Sequence, residues 1–208
     1  MNAGIFIGLA AVLYVRCENP VVSSVLFSVG LLACLLYQEP LCTGRANQPW
    51  YAITHRNDKY CLYKWYEIMS LWWILYAING FFALWLGCVS RLCIDVSRAN
   101  DIVMAKLEHP WYWMLFMGFL CGLFIQIAVH AWDKSRGGWP IVVLCVAGFL
   151  LLGGEHCVAD AAFIGMMTPC GDWSVALGCA KLVLLAGLGN LLAGVIFWRE
   201  PRGRRLEI

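Results

Sequence analysis

A glutamate and a histidine, Glu155 and His156, lie side by side in the middle of an apolar stretch that covers residues 137–171. Ionisable groups at that depth in a membrane cost roughly 2.5 to 3.5 kcal/mol each, so they are retained where they line a cavity or relay protons. Histidine suits such a task because its reference pKa of ~6.5 lets it change charge near neutral pH. A structural histidine bonded to backbone is the alternative, and the mid-membrane position favours the functional interpretation.

The composition predicts that these residues belong to an integral membrane protein. Of 208 residues, 62% are hydrophobic and only 13% are charged, and the mean hydropathy is +0.71. One soluble core cannot bury so much apolar surface, and a spanning helix needs about 20 apolar residues. The sequence therefore predicts an all-α protein with six transmembrane helices and one domain, residues 1–208. The apolar stretches are residues 3–15, 21–37, 68–90, 111–132, 138–171 and 173–198.

The distribution of basic residues predicts the orientation. Lys and Arg gather after the sixth stretch, between the fourth and fifth, and between the second and third, whereas the net charge is only +2. By the positive-inside rule both termini are cytoplasmic, as an even number of crossings requires, and the basic tail of residues 199–208 lies on that side. We expect a multi-pass protein of the inner (plasma) membrane. Nothing in the sequence indicates nucleic-acid binding or a cofactor.

Eleven cysteines raise the question of thiol or metal chemistry. The sequence has no C-x-x-C pair, most cysteines fall in apolar stretches, and the four histidines are scattered. We expect no metal site and no obligatory disulfide. A membrane thiol oxidoreductase remains a less favoured alternative, for which Cys88 and Cys93 are the nearest candidate pair.

Two of the six stretches carry interruptions. An unbroken helix over residues 137–171 would be about 52 Å long, whereas the hydrocarbon core is only ~30 Å thick. The break is expected at residues 153–156, because paired glycines and a polar pair tolerate non-helical backbone that lines a cavity. The second stretch is interrupted at residues 38–44, which include Pro40. The sequence therefore predicts broken helices at positions two and five.

The interruptions suggest an internal repeat. Helix three carries Asn79 in an otherwise apolar span, and helix six carries Asn190. Three helices followed by three with matching breaks predict an inverted-topology repeat, with repeat one at about residues 1–92 and repeat two at about 106–200. Glycines on their own are better explained by close helix packing. That explanation applies to Gly118, Gly122, Gly187 and Gly194.

Four short motifs together resemble the formate/nitrite transporter family of anion channels. The G-F-E-H-S-x-A-N-M motif of that family is similar to residues 153–161, and its E-L-F-T-G-N loop is similar to residues 40–45. Its F-S-x-G-L motif matches residues 27–31, and its helix-six G-N motif matches residues 189–194. Each motif alone is weak, but their order and spacing fit over nearly the whole chain.

The resemblance implies an aquaporin-like protomer with its own pore, assembled as a homopentamer in the lipid bilayer. It implies that Thr43 approaches His156 at the pore centre, that Asn190 is the helix-six asparagine, and that Lys106 attracts anions in an outer vestibule. It also implies two apolar constrictions, one with Phe27 and Leu31 and the other with Phe149.

The chain departs from the family pattern at several of these positions. Pro40, Cys42 and Gly122 replace the usual glutamate, phenylalanine and asparagine, and Asp160 replaces an asparagine. A carboxylate one helical turn from His156 should raise the proton affinity of the imidazole. Asp160 is either a pore carboxylate or the partner of a polar group in the loop. Glu155 is expected to face a neighbouring helix and to fix the loop.

The expected function is that of a channel for small monovalent anions of weak acids, such as formate, nitrite or hydrosulfide, and not that of an enzyme. An unpaired ion crosses an apolar constriction only at high cost, so the anion must be paired or protonated near His156. A channel for neutral small solutes, of aquaporin type, is the alternative.

Overall fold

The computed structural model describes residues 2–54, 64–169 and 171–197; the basic tail of residues 199–208 lies outside them. The described part of the chain is helical, with three short 3-10 turns and no β-strand. Three helices, α4, α6 and α9, are long and apolar enough to cross a membrane by length and composition. The helices are α1 Asn2–Arg16, α2 Pro20–Leu36, α3 Asn47–Thr54, α4 Trp65–Cys93, α5 Arg98–Leu107, α6 Trp111–Lys134, α7 Trp139–Leu151, α8 Cys157–Met166 and α9 Trp173–Ala193.

Local sequence explains where α2 and α9 begin. The side chain of Asn19 accepts hydrogen bonds from the backbone N–H groups of Val21 and Val22, both at 3.0 Å, and Pro20 occupies the first turn. Asp172 caps α9 by accepting from the N–H of Ser174 at 2.8 Å. Both caps satisfy N–H groups that have no partner inside the helix.

The second and fifth apolar stretches are interrupted where the sequence predicts. α2 ends at Leu36 and α7 ends at Leu151, and the next helical turns begin only at Thr43 and Cys157. Both ends form a Schellman motif, with a left-handed residue at the position after the cap: Gln38 has φ 56° and Gly153 has φ 80°. At the end of α2, Glu39 N–H donates to Cys34 O and Gln38 N–H donates to Leu35 O. At the end of α7, Gly154 N–H donates to Phe149 O and Gly153 N–H donates to Leu150 O. The two interruptions therefore share one backbone design.

Close helix crossings surround these interruptions. α4 packs along α8, α6 packs along α9, and α2 and α7 pack against each other. Gly87 of α4 faces the backbone of α8, and a Cβ there would lie 3.0 Å from the N of Met166, so only glycine allows this approach. A Cβ on Gly118 would lie 2.8 Å from Ala186 O, and one on Gly122 would lie 2.9 Å from Asn190 O. The packing explanation of the glycines in α6 is confirmed.

The short helix α5 follows α4 and precedes α6 in the sequence, and it packs on α8 and α9. Arg98 ties its first turn to the end of α1 by donating to the backbone oxygens of Tyr14, at 3.3 Å, and Cys17. The last turn of α5 carries Lys106, so this anchoring fixes where the ammonium group can reach.

Candidate functional site

Two buried asparagines hold the interrupted backbone from the neighbouring helices. Asn79 of α4 accepts from the N–H of Cys42 at 2.9 Å and donates to Pro40 O at 3.3 Å. Asn190 of α9 does the same for the second interruption, accepting from the N–H of Cys157 at 3.1 Å and donating to Glu155 O at 2.9 Å. Since buried backbone groups need partners, each amide replaces the hydrogen bonds that the break removes.

The two interruptions meet through Thr43 and His156. Thr43 Oγ1 lies 3.0 Å from His156 Nε2, and both side chains are buried. Gln126 of α6 donates to Thr43 O at 2.8 Å, and Trp72 of α4 donates to Cys42 O at 2.8 Å. The threonine hydroxyl is therefore held against the imidazole by backbone bonds on both sides of it.

The hydrogen bonds of His156 indicate its tautomer. His156 is the N-cap residue of α8, and its Nδ1 accepts from the N–H of Ala159 at 3.2 Å. An accepting Nδ1 carries no proton, so the proton of the neutral ring is on Nε2 and is donated towards Thr43 Oγ1. Protonation at Nδ1 would break the cap of α8. The arrangement therefore favours the neutral imidazole, with Nε2–H as the available donor.

Lys106 reaches two buried carboxyl groups next to this histidine. Its Nζ hydrogen-bonds Glu155 Oε2 and lies 2.9 Å from Asp160 Oδ1. The side chains of Glu155 and Asp160 are 0% and 1% exposed, and the side chain of Lys106 is 17% exposed. Asp160 pairs with the ammonium group of Lys106 on α5 and not with the imidazole, and neither of its two expected roles named this lysine.

An apolar cluster, which we define as Phe27, Leu31 and Phe149, borders His156 through Phe149. The Phe149 ring stacks on the imidazole with centroids 6.0 Å apart, and its centroid lies 6.3 Å from that of Phe27 in an edge contact. All three cluster side chains are at most 2% exposed. The resemblance implies two constrictions, and the rings of Phe27 from one and Phe149 from the other are in edge contact here.

Ring contacts continue from this cluster to Lys106. Tyr14 of α1 meets Phe27 at 6.2 Å and Phe163 of α8 at 5.8 Å between centroids. Lys106 Nζ lies 5.9 Å from the centroid of Phe163. An aromatic wall thus connects the ammonium group with the apolar cluster.

The described structure brings most of the sequence-predicted site residues into one region. Thr43 and His156 are in contact, and Phe149 of the apolar cluster stacks on the imidazole. Lys106, Glu155 and Asp160 form an adjoining charged group. Asn190 binds backbone and acts as a brace for the loop. Sequence reasoning missed Gln126 and Trp72; a lone amide inside the apolar span of α6 is the signal that could have revealed Gln126.

The candidate thiol and metal chemistry finds little support in the geometry. Cys88 and Cys93 both lie on α4, five residues apart, so they project about 140° apart around the helix and do not face each other. Cys88 and Cys93 both carry free thiols. No group of three potential metal ligands occurs among the described residues.

These features define a class: a multi-pass helical membrane protein in which interrupted spans bring polar groups together beside an apolar cluster, as in proteins that pass small solutes through a membrane. The chain belongs to the formate/nitrite transporter family, whose family model matches residues 1–199. The expected family resemblance is therefore confirmed.

Comparison with solved structures supports the fold. The chain resembles an FNT family ion channel with a TM-score of 0.76 and 19% identity, over 94% of this chain and 84% of that one. It also resembles a pentameric formate channel with formate bound, with a TM-score of 0.71 and 20% identity, over 94% of this chain and 90% of that one. A search of curated proteins gave no significant match.

Proposed function

We propose that this protein is a channel for small monovalent anions of weak acids, of the formate, nitrite and hydrosulfide class, in which His156 assists protonation or pH gating. The observation that carries the proposal is the 3.0 Å contact of Thr43 Oγ1 with His156 Nε2, where two interrupted spans meet. Membership of a transporter family supports transport in place of thiol redox chemistry. The similar solved channel with bound formate supports the choice of substrate class.

The proposed architecture is six crossings arranged as an inverted 3+3 repeat with an aquaporin-like protomer. The two interruptions support it, because each has a Schellman end, an asparagine brace and a cysteine N–H bound by that asparagine. α2 with α3 would form the second crossing, and α7 with α8 would form the fifth. The pathway of such a repeat lies at the interface of its halves, where Thr43 and His156 meet.

His156 and Thr43 would bind the entering anion. In the neutral ring Nε2–H is a donor, and a carboxylate or nitrite oxygen is a stronger acceptor than the threonine hydroxyl it would displace. The freed hydroxyl of Thr43 then becomes a second donor to the same anion. Two donors at one point, next to a helix N-terminus, suit one small anion better than a neutral polyol.

The apolar cluster would require the charge to be removed before passage. A bare anion that leaves these donors for a site lined by Phe27, Leu31 and Phe149 loses its hydrogen bonds and its hydration. A weak acid avoids this cost by taking up a proton and passing as a neutral molecule. Lys106, whose side chain is partly exposed, would lie on the outer side, where it can donate a hydrogen bond to an arriving anion although the Glu155 carboxylate offsets its charge.

The proposed assembly is a homopentamer in the inner membrane with both termini cytoplasmic. Large apolar side chains cover the outward faces of α4 and α9, among them Phe81 at 61% and Leu177 at 68% exposure in the single protomer. An apolar groove of about 960 Å³ lies between these helices, with α8 as its floor. Such surfaces fit burial against lipid and neighbouring protomers, and the similar formate channel is pentameric.

The test is the pH dependence of formate uptake into proteoliposomes. His156→Asn removes the titrating ring but keeps an acceptor near the position of Nδ1, so the cap of α8 survives. We expect uptake to fall roughly 10- to 100-fold, the equivalent of about 1.5 to 3 kcal/mol for a hydrogen bond to a charged group, and its pH dependence to flatten. Thr43→Val should lower uptake, whereas Thr43→Ser should preserve it.

Controls separate this mechanism from its alternatives. His109→Asn removes an imidazole that stacks on Trp113, and uptake should stay at the parental level. If formate uptake by His156→Asn equals that of the parent protein at every pH, His156 has no role in the mechanism. Glycerol uptake that matches or exceeds formate uptake would favour the neutral-solute channel.

A further inference from the structure

The charged group next to His156 has an uneven number of charges. Lys106 contributes one ammonium group, whereas Glu155 and Asp160 contribute two carboxyl groups, and both carboxyl side chains are buried. Both carboxyls contact the same Lys106 ammonium group, so they lie close to each other. With both carboxyls ionised, a net negative charge would remain in a site of low dielectric constant, beside the proposed anion path.

Two oxygens of this group are left without hydrogen-bond partners. Lys106 binds Glu155 Oε2 and Asp160 Oδ1, while Glu155 Oε1 and Asp160 Oδ2 are buried and have no partner among the described residues. Two ionised carboxylates are acceptors only and cannot bond each other. A single proton turns one of them into a donor, which supplies the missing hydrogen bond and removes the repulsion, as in carboxyl pairs that share a site.

We propose that Glu155 and Asp160 share one proton, so that the Lys106–Glu155–Asp160 group is electrically neutral at rest and acts as a proton-binding site beside His156. The inference rests on the proposed function in one respect, because it names the source of the proton that a weak-acid anion needs. The step is a proton transfer: an O–H bond of the carboxyl pair breaks, an O–H bond forms on formate or nitrite (an S–H bond on hydrosulfide), and the group becomes singly negative. A proton from the outer water, reached at the partly exposed Lys106, restores it.

The neighbouring helices place several other titratable groups around this pair. Apart from Lys106 on α5, these are Tyr76 on α4, Cys121 on α6, His156 in the loop and Cys157 at the start of α8. Thiols and phenols are neutral near pH 7, and the hydrogen bonds of His156 favour its neutral form. On α1, Tyr14 contacts Phe163; on α9, Lys181 is exposed and Cys179 borders the groove. Lys106 is therefore the compensating cation that contacts the pair.

The test is infrared difference spectroscopy of the purified full-length protein in lipid at neutral pH. A protonated buried carboxyl has a carbonyl stretch that is well separated from the carboxylate bands and that shifts in D2O. We expect one such band in the parent protein. Asp160→Asn should abolish it, because a single Glu155 carboxylate paired with Lys106 stays ionised, and Glu155→Gln should abolish it for the same reason.

A matched control uses another acid of this chain. Asp95 lies outside the helices with its side chain 72% exposed, so Asp95→Asn should leave the band unchanged. Absence of the band in the parent, or its persistence in either Asp160→Asn or Glu155→Gln, overturns the proposal. If one variant does not fold, the other still decides, since each removes one member of the pair.

Formate uptake measured on the same samples separates this inference from the proposed function. If the band depends on both carboxyls but the protein passes no formate, the proton site is supported and the channel function is refuted. If formate uptake depends on His156 but the protein lacks the band, the channel function is supported and the proton site is refuted. If both hold, Asp160→Asn should move the pH of half-maximal uptake to a lower value, because the anion must then be protonated by bulk water.

Discussion

Replacing Asn190 with alanine tests whether the interrupted fifth stretch depends on its brace. The side chain of Asn190 makes three hydrogen bonds: it accepts from the N–H of Cys157 at 3.1 Å and donates to Gly118 O at 2.7 Å and Glu155 O at 2.9 Å. All of them are buried. Truncation to alanine removes the three bonds at once and leaves a cavity too polar to be closed by apolar neighbours.

The expected cost follows from which groups lose their partner. Gly118 O lies within α6, where a helical bond also engages it. Cys157 N–H and Glu155 O face the asparagine, and an unsatisfied buried group costs about 1 to 3 kcal/mol, so the loss is roughly 2 to 6 kcal/mol. Measured hydrogen bonds in membrane proteins average only about 0.6 kcal/mol, so three bonds give roughly 2 kcal/mol. Both estimates agree on at least about 2 kcal/mol.

The assay is the free energy of unfolding in mixed micelles, followed by tryptophan fluorescence, with formate uptake measured in parallel. Asn47→Ala is the matched control, since the Asn47 side chain makes one long bond of 3.5 Å to Phe197 O and its removal should cost less than about 1 kcal/mol. Asn79→Ala should behave like Asn190→Ala, because it braces the other interruption. If Asn190→Ala lowers the free energy of unfolding no more than Asn47→Ala does, the assignment of Asn190 and Asn79 as braces is refuted.

Three further changes have defined outcomes. Phe149→Ala should cost about 3 to 5 kcal/mol of unfolding free energy and raise glycerol uptake relative to formate; unchanged selectivity would contradict a constriction there. Gly87→Ala should lower the melting temperature, because its Cβ would overlap the backbone of α8, whereas Gly80→Ala, with open space around it, should not; equal melting temperatures would contradict this packing. The N–H of Ser174 lowers the pKa of Asp172, so its stabilising effect is present above the unfolded pKa and is lost as pH falls through the folded pKa. Asp172→Asn keeps the cap acceptor and should lack this acid-induced drop in melting temperature; an equal drop in both proteins would exclude Asp172 as its cause.

The interruption of the fifth stretch was predictable because membrane thickness limits helix length, and that of the second because Pro40 and Gly44 follow its apolar run. A stretch of 35 residues with Gly153 inside it cannot be one spanning helix, and that argument needs no neighbours. The Thr43–His156 contact was expected from the family resemblance alone. It joins residues 113 positions apart, and helix periodicity carries no information about such a separation.

The contacts of Lys106 show where sequence reasoning stops. Next to Glu108 and His109 it resembles a solvated loop charge, and only the anchoring of α5 to the end of α1 aims it at α8. Asp160 was recognised as an unusual carboxylate, but its partner depends on which of several nearby cations the packing brings within reach. Charge pairing in a membrane protein is decided by helix placement, which the local sequence does not specify.

The two interruptions share a scaffold but differ in chemistry, and this difference locates the proposed function. Residue pairs 115 positions apart occupy equivalent places: the Cys42 and Cys157 N–H groups each bind an asparagine, as do the Pro40 and Glu155 carbonyls. In place of Glu155 and His156 the first interruption has Pro40 and Leu41, which do not ionise.

The asymmetry has a physical reason. Each buried ionisable group costs several kcal/mol unless it is paired, so a second copy of the Glu-His pair would double the cost without adding a second passage for the solute. The first interruption instead contributes the neutral hydroxyl of Thr43, which is both donor and acceptor and costs little to bury when bonded. Under the proposed function the first interruption would supply a partner for the imidazole, and the second would supply the groups that exchange protons.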